Sequence, residues 1–292
     1  MSRDYIIHAS AAGSMVRAFF AVTKDTVGEA EQIHSTTPVV SAALGRLLTA
    51  GAMMGFMQKN ENDQLTLIIK GDGPIGGLVV SAGKDTTVKG YAYHNDVELP
   101  LNPQGKLDVA RGLGKGFLSV IRDIGLKTPV TGQVELVSGE IAEDLTYYFA
   151  NSEQTPTAVA LGVLIDRDCS VKQAGGFIIQ LMPGCPEEIA ENLEVKLAKF
   201  PSLTLLMDEG KRPEDIMDML LGELGYTEID RSNVRFSCNC TYDRVSRALI
   251  SLGREELTKI LEEDGEVTLH CHFCNKDYCF DQAEIEEILQ TM

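Results

Sequence analysis

Two short cysteine pairs near the C-terminus, Cys238-x-Cys240 and Cys271-x-x-Cys274, restrict this chain more than any other part of its sequence. Pairs of this kind, about 30 residues apart, are the pattern of a tetrahedral thiolate zinc site, because each pair clips two corners of the ion. Cys240 precedes Thr241, a good helix N-cap, so its thiolate would sit near the positive end of a helix. Cys271 and Cys274 interrupt the strand-like run VTLHCHFCNKDYCF, where a hairpin tip can form a zinc knuckle. His270 and His272 flank Cys271; in an extended strand they point to the opposite face, so neither is counted as a ligand. A thioredoxin-like C-x-x-C should open a helix, and NKDYCF does not read as one. Cys169 and Cys185 stand alone and read as buried or turn thiols; Cys279, five residues beyond Cys274, reads as a spare thiol, with an occasional alternate ligand as the other reading.

A closed four-thiolate site offers no open position to substrate or water, which makes it structural rather than catalytic. It staples a small unit whose own core is marginal, and a structural zinc contributes on the order of 10–16 kcal/mol of apparent folding free energy. An oxidant that consumes the thiolates removes that stabilisation, so the site can report oxidation by unfolding. In extended backbone the Cα atoms of a C-x-C pair lie about 6.5 Å apart, near the upper limit for a disulfide, so a bridge there would be strained and readily reversed.

Charge and hydropathy bound the rest. The 292 residues carry a net charge of −17 with ordinary hydrophobic (44%) and charged (24%) fractions, and suit two domains or one with an appendage. Residues 1–185 contribute −4 and residues 186–292 the remaining −13, so the cysteine pairs lie in the acidic part. That balance argues against nucleic-acid binding, which draws its affinity from Lys and Arg on phosphates. No segment approaches the roughly 20 apolar residues of a membrane span. The nearest, Leu47–Met57, reads as a buried helix, and no secretory signal is recognised at the N-terminus. A cytoplasmic location is therefore expected, with cysteines held as thiols and paired ones given to metal or redox chemistry.

The expected fold is α+β: an N-terminal β-sheet domain packed with helices (1–185), a linker of acidic amphipathic helices (186–231) and a small C-terminal zinc-binding domain (232–292). TTPVVSAALGRLLTAGAMMGFMQ, with Thr36 or Thr37 as N-cap and Pro38 in the first turn, reads as a helix buried against a sheet. QLTLIIKG, GGLVVSAG and TTVKGYAYH suit an antiparallel meander. PVTGQVELVSG continues the β pattern, EIAEDLTYYFANS reads as helix, and the runs either side of DRDCS as a hairpin. In the acidic region, Ile189, Leu193, Leu197 and Phe200 mark one apolar helix face and Ile216, Met219, Leu220 and Leu224 another, with YTEIDRSNVRF as connecting segment. The glycines of GDGPIG match a dinucleotide-binding spacing, but a strand follows them where such a site needs a helix, so they read as a turn. No G-x-S-x-G, H-E-x-x-H or Walker motif is present, and His8, His34 and His94 are scattered. No enzymatic activity is expected.

With CNC and CHFC in place, the chain resembles the heat shock protein 33 family of redox-regulated chaperones. The likeness extends to DYIIHASAAGSMVRAFFAVT, TPVVSAALGRLLTAGAMM, IKGDGPIGG, FSCNCTYDRV and HCHFCNKDY. It implies an ATP-independent holdase, inactive when reduced and zinc-bound and active when oxidised, that keeps unfolding client proteins from aggregating. It also implies one zinc ion per chain on Cys238, Cys240, Cys271 and Cys274, disulfides Cys238–Cys240 and Cys271–Cys274 on activation, and a homodimer when oxidised. Residues from about 186 to 231 would form a metastable cover over apolar surface of the N-terminal domain. Their acidity would keep the uncovered state in solution, without nucleic acid or membrane as partner. Cys169, Cys185 and Cys279 match no position of the family pattern. The competing readings are a constitutive zinc-stapled interaction protein without a redox switch and an enzyme whose site lies in the N-terminal domain.

Overall fold

The computed structural model describes residues 4–292, which divide into two units, one ending at Ser237 and one from Cys238 to Met292. The first opens with strands β1 (Tyr5–Ala11) and β2 (Val16–Val22) and helices α1 (Lys24–His34) and α2 (Pro38–Phe56). Strands β3 (Gln64–Gly71), β4 (Gly77–Gly83) and β5 (Thr87–Ala92) follow, then α3 (Val109–Leu113), β6 (Gly116–Asp123), β7 (Val130–Glu135) and α4 (Ala142–Ser152). A hairpin of β8 (Thr157–Ile165) and β9 (Val171–Leu181) leads into α5 (Glu187–Ala198), α6 (Leu203–Asp208) and α7 (Pro213–Leu221), and β10 (Tyr226–Asn233) and β11 (Arg235–Phe236) close the unit. The second unit runs α8 (Tyr242–Ile250), α9 (Arg254–Glu263), β12 (Val267–Cys271), β13 (Lys276–Phe280) and α10 (Gln282–Thr291). The mixed α+β character expected from the sequence is what the structure has.

Helix α2 is apolar all round because it has two sheets to satisfy. One is an antiparallel sheet in the order β10-β1-β2-β9-β8; the other has the order β11-β5-β4-β3-β6-β7 and is antiparallel except where β11 meets β5. Ile6, Phe19 and Ile178 of the first sheet and Leu65, Leu67 and Val80 of the second join α2 in one core. By length and composition alone this helix passes for a membrane span, yet 94% of that apolar window is buried inside the protein. Its glycines let the layers approach closely. A Cβ on Gly51 would stand 2.5 Å from Val80, and one on Gly55 would stand 2.8 Å from the Gly83 carbonyl oxygen. Thr37 is the N-cap residue, but its hydroxyl donates to the Val97 carbonyl at 2.5 Å instead of capping the helix.

The β10-β1-β2-β9-β8 sheet is buried on its other face as well. Ile7, Phe20, Phe177 and Ile179 lie under Leu193, Leu206, Ile216, Met217 and Leu220 from α5, α6 and α7. The stripe expected on α5 packs as read, with Leu193 buried and Ile189, Leu197 and Phe200 against the same core. On α7 the register differs: Met219 is 43% exposed, and Met217 and Leu221 take the inward positions beside Ile216 and Leu220. Two adjacent apolar pairs made the helical phase ambiguous, and the sheet settles it. The segment read as a connection, YTEIDRSNVRF, holds strand β10, paired antiparallel with β1. An ionic clasp ties α7 to this sheet. The Tyr5 hydroxyl donates to Glu214 at 2.7 Å, and Arg231 pairs with Glu214 at 2.7 Å and with Glu228 at 2.9 Å while stacking on the Tyr5 ring. Burial alone would raise the Glu214 carboxyl; the bonds from Tyr5 and Arg231 outweigh it and hold the group below its ordinary range.

The GDGPIG segment is a turn between antiparallel strands, closed by Gly71 N donating to Gly76 O at 3.0 Å, and Gly77 opens β4. Glycine is required at 71 because a side chain there would run into the Leu113 carbonyl.

Asp4 caps α1 from outside the helix: its carboxylate accepts from the Thr26 and Asp25 amides at 2.6 and 3.2 Å. Burial dominates those bonds and raises its pKa from 3.8 to about 6. The folded chain then holds this proton where the unfolded chain has lost it, so the group's contribution to stability is greatest below pH 3.8 and falls as pH rises to about 6. Urea unfolding of Asp4→Asn against the parent chain should show a stability difference that moves in the variant's favour between pH 4 and pH 7, by at most about 3 kcal/mol. A pH-independent difference would remove Asp4 as the titrating group.

Candidate metal centre

The second unit builds its site from a loop and a hairpin. Cys238 and Cys240 precede α8, whose N-cap Thr241 accepts from the Arg244 amide at 3.3 Å, as the sequence suggested. Cys271 ends β12, and the chain turns through Asn275, which has φ +55° and donates its amide to the Cys271 carbonyl at 2.8 Å. Asparagine tolerates that left-handed conformation, so the C-x-x-C pair occupies a hairpin tip. Alternation along β12 and β13 places Leu269 and Cys271 on the face of Tyr278 and Phe280, and leaves Thr268, His270, Asp277 and Cys279 on the other.

These two segments bring four sulfurs together. The Sγ atoms of Cys238, Cys240, Cys271 and Cys274 all lie within 4.8 Å of one another, each side chain half-buried. Two of the separations run between the segments: Cys238 to Cys271 at 3.8 Å and Cys240 to Cys274 at 3.1 Å. A tetrahedral zinc with bonds of about 2.3 Å requires sulfur–sulfur spacings of about 3.8 Å. The cluster has that size, and four soft thiolates with no carboxylate among them favour zinc over magnesium or calcium. The four residues singled out by spacing are thus the four the fold gathers, and they could hold one metal ion.

The histidines and remaining cysteines lie outside the cluster. His270 pairs with Asp277 at 2.7 Å and its ring lies 5.1 Å from that of His272. Cys279 accepts from the Thr268 hydroxyl at 3.3 Å, Cys169 sits exposed in the β8–β9 turn with φ +70°, and Cys185 lies at the start of α5 with its thiol 3.8 Å from the Pro186 carbonyl.

Tyr278 is the participant that spacing did not reveal. Its hydroxyl stands 3.0 Å from Cys240 Sγ, aimed there by strand alternation. Burial pushes the Cys240 thiol up, but hydrogen bonds with Tyr278 and the other three cysteines outweigh this and bring it from 9.0 down to about 7. Burial and the hydrogen bond to Cys240 push the Cys274 thiol up, and the bond to Cys240 raises Tyr278. Cys240 thus has a phenol against its sulfur and directly precedes the N-cap of α8. Around the site the unit has little else: only Leu249, Leu257, Phe280 and Ile285 are fully buried in its core. Replacing Tyr278 by Phe keeps the ring and removes the donor, and loss of such an outer partner should weaken zinc binding about 10- to 100-fold. Competition with a chromogenic chelator measures it; unchanged affinity would show the contact to be incidental.

The family model described as Hsp33 protein matches residues 4–281. The chain is 53% identical over 286 residues to the 33 kDa chaperonin of Lachnoclostridium phytofermentans, covering 98% of each chain. It is 49% identical over 291 residues to the 33 kDa chaperonin of Clostridioides difficile, covering 99% of this chain and 100% of that one. Among solved structures it superposes on the 33 kDa chaperonin (heat shock protein 33 homolog) of Thermotoga maritima with a TM-score of 0.91 and 37% identity, covering 99% of both chains. With a family model matched across nearly its whole length, the chain belongs to the Hsp33 family of chaperones.

Proposed function

We propose that this chain is a redox-regulated, ATP-independent holdase. Four thiolates, Cys238, Cys240, Cys271 and Cys274, would hold one zinc ion per chain in the reduced, inactive state. The observation that carries the reading is the convergence of these sulfurs within 4.8 Å in a unit with a four-residue core. When bound, the ion supplies a fixed tetrahedral link between the C-x-C loop and the C-x-x-C hairpin, keeps its thiols deprotonated, and offers no open coordination position.

The chain's own sulfurs then do the sensing. Hydrogen peroxide oxidises each pair by two electrons: the two thiolates join in one S–S bond, the O–O bond breaks, two protons are taken up from solvent and two waters leave, giving Cys238–Cys240 and Cys271–Cys274. The reduced cluster has contacts across the two segments, Cys238 to Cys271 and Cys240 to Cys274, so bridges within each segment would undo that tie. A unit with so small a core then loses its order. Through the chain connection this would weaken α5, α6 and α7, whose removal from the sheet bares Ile7, Phe20, Phe177 and Ile179. Such a surface suits unfolding proteins of varied sequence. The net charge of −17 keeps the open state in solution, where dimerisation would shield part of it, and a reducing cytoplasm supplies the resting condition.

The test pairs zinc release with suppression of aggregation of a thermally unfolded client, before and after mild peroxide at raised temperature. Both should appear together, and thiol reductant plus zinc should reverse both. Zinc retained under peroxide, or lost without any suppression, would leave a constitutive zinc-stapled interaction protein as the better account.

A further inference from the structure

The two edges of the β10-β1-β2-β9-β8 sheet are built differently. Edge strand β10 carries Glu228, Asp230 and Arg231, and its pairing with β1 is broken by a bulge at His8/Ala9. Charges and bulges of this kind keep edges from pairing with other chains. The opposite edge, β8, is TAVALGVLI: it has no charged residue and no proline, and its register with β9 is unbroken until Leu164/Ile165. Every residue of β8 except Gly162 is half-buried, so the strand is partly open to solvent.

The backbone directions follow from one hydrogen bond. Leu181 N donates to Pro156 O at 2.9 Å, which makes 156/181 a bonded pair. In an antiparallel ladder bonded pairs recur every second residue, so Ala158, Ala160, Gly162 and Leu164 direct their N–H and C=O groups at β9. Val159, Leu161 and Val163 therefore direct theirs away from the sheet, and among the described residues no group pairs with them. Helix α4 approaches β8 through the core between the sheets, with Leu145 and Phe149, and does not take these bonds. On the other face α6 leans over the strand, its Thr204 methyl 2.5 Å from where a Cβ on Gly162 would stand.

We propose that the β8 edge binds clients by strand addition: an extended, uncharged, β-prone segment of an unfolding protein pairs with Val159, Leu161 and Val163 and becomes the sixth strand of this sheet. The inference rests on the holdase reading and names the surface and the client chemistry it uses. Unpaired main-chain groups in a row recognise extended backbone of any sequence, which is what a promiscuous holdase needs. The apolar, uncharged strand selects against charged partners. Release of α6 would widen access to the same edge, coupling it to the switch.

The test follows amide hydrogen exchange in the full-length, unaltered chain, oxidised, with and without thermally unfolded citrate synthase. Exchange at Val159, Leu161 and Val163 should slow about tenfold or more only when the client is bound. A Val159→Pro variant removes one outward donor and no bond to β9. With zinc release and melting temperature unchanged, it should need several-fold more chaperone for equal suppression. If the parent chain suppresses aggregation while these amides exchange as fast as without client, strand addition is overturned and the holdase reading stands. If the oxidised chain protects them without client and dimerises with concentration, the edge belongs to a second copy and the proposal fails. If the parent chain suppresses nothing, both readings fall.

Discussion

The C-terminal unit depends on four sulfur atoms that two segments about 30 residues apart bring to one point. Its helices and hairpin bury four apolar side chains between them, far fewer than the cores of the larger unit. On the proposed reading, a fold so poorly supplied with apolar contact would take its order from a metal cross-link, whose thiolates oxidation can consume. The same residues would then set both the stability of the unit and its sensitivity. Tyr278 stands 3.0 Å from Cys240, which directly precedes the N-cap of α8.

The larger unit shows the complementary arrangement. One sheet serves two cores: on one face it packs permanently against α2, and on the other it is covered by α5, α6 and α7. The first core uses a 19-residue apolar helix and close glycine contacts, and nothing in it suggests release. The second uses short amphipathic helices from the acidic part of the chain, fastened at Tyr5, Glu214 and Arg231. A cover with polar outer faces can leave the sheet at a cost set by one apolar interface and one ionic clasp. The permanent core keeps the sheet itself intact.

Much of this was legible in the sequence, for stated reasons. The four clustered cysteines could be read because ligand spacing is a local constraint, and α2 because its apolar run has a Pro start and no charged face toward either sheet. The β3–β5 meander and the β8–β9 hairpin were legible from turn residues between β-branched runs. What escaped depends on contacts distant in sequence. Strand β10 reads as a polar connection because it is an edge strand with solvated side chains, and only its pairing with β1 makes it a strand. The inward choice of Met217 over Met219 needed the sheet beneath α7. Tyr278 is an unremarkable strand tyrosine until the hairpin register sets it 3.0 Å from Cys240.

The central claim is that the state of the four thiols governs the cover formed by α5, α6 and α7. Hydrogen exchange across residues 187–221, in the reduced zinc-loaded chain and again after peroxide treatment, tests it most directly. The account predicts that protection in these helices collapses with oxidation while β3, β4 and β6 keep theirs, and that reduction with zinc restores it. Protection of residues 187–221 that survives complete oxidation of the four cysteines would contradict it.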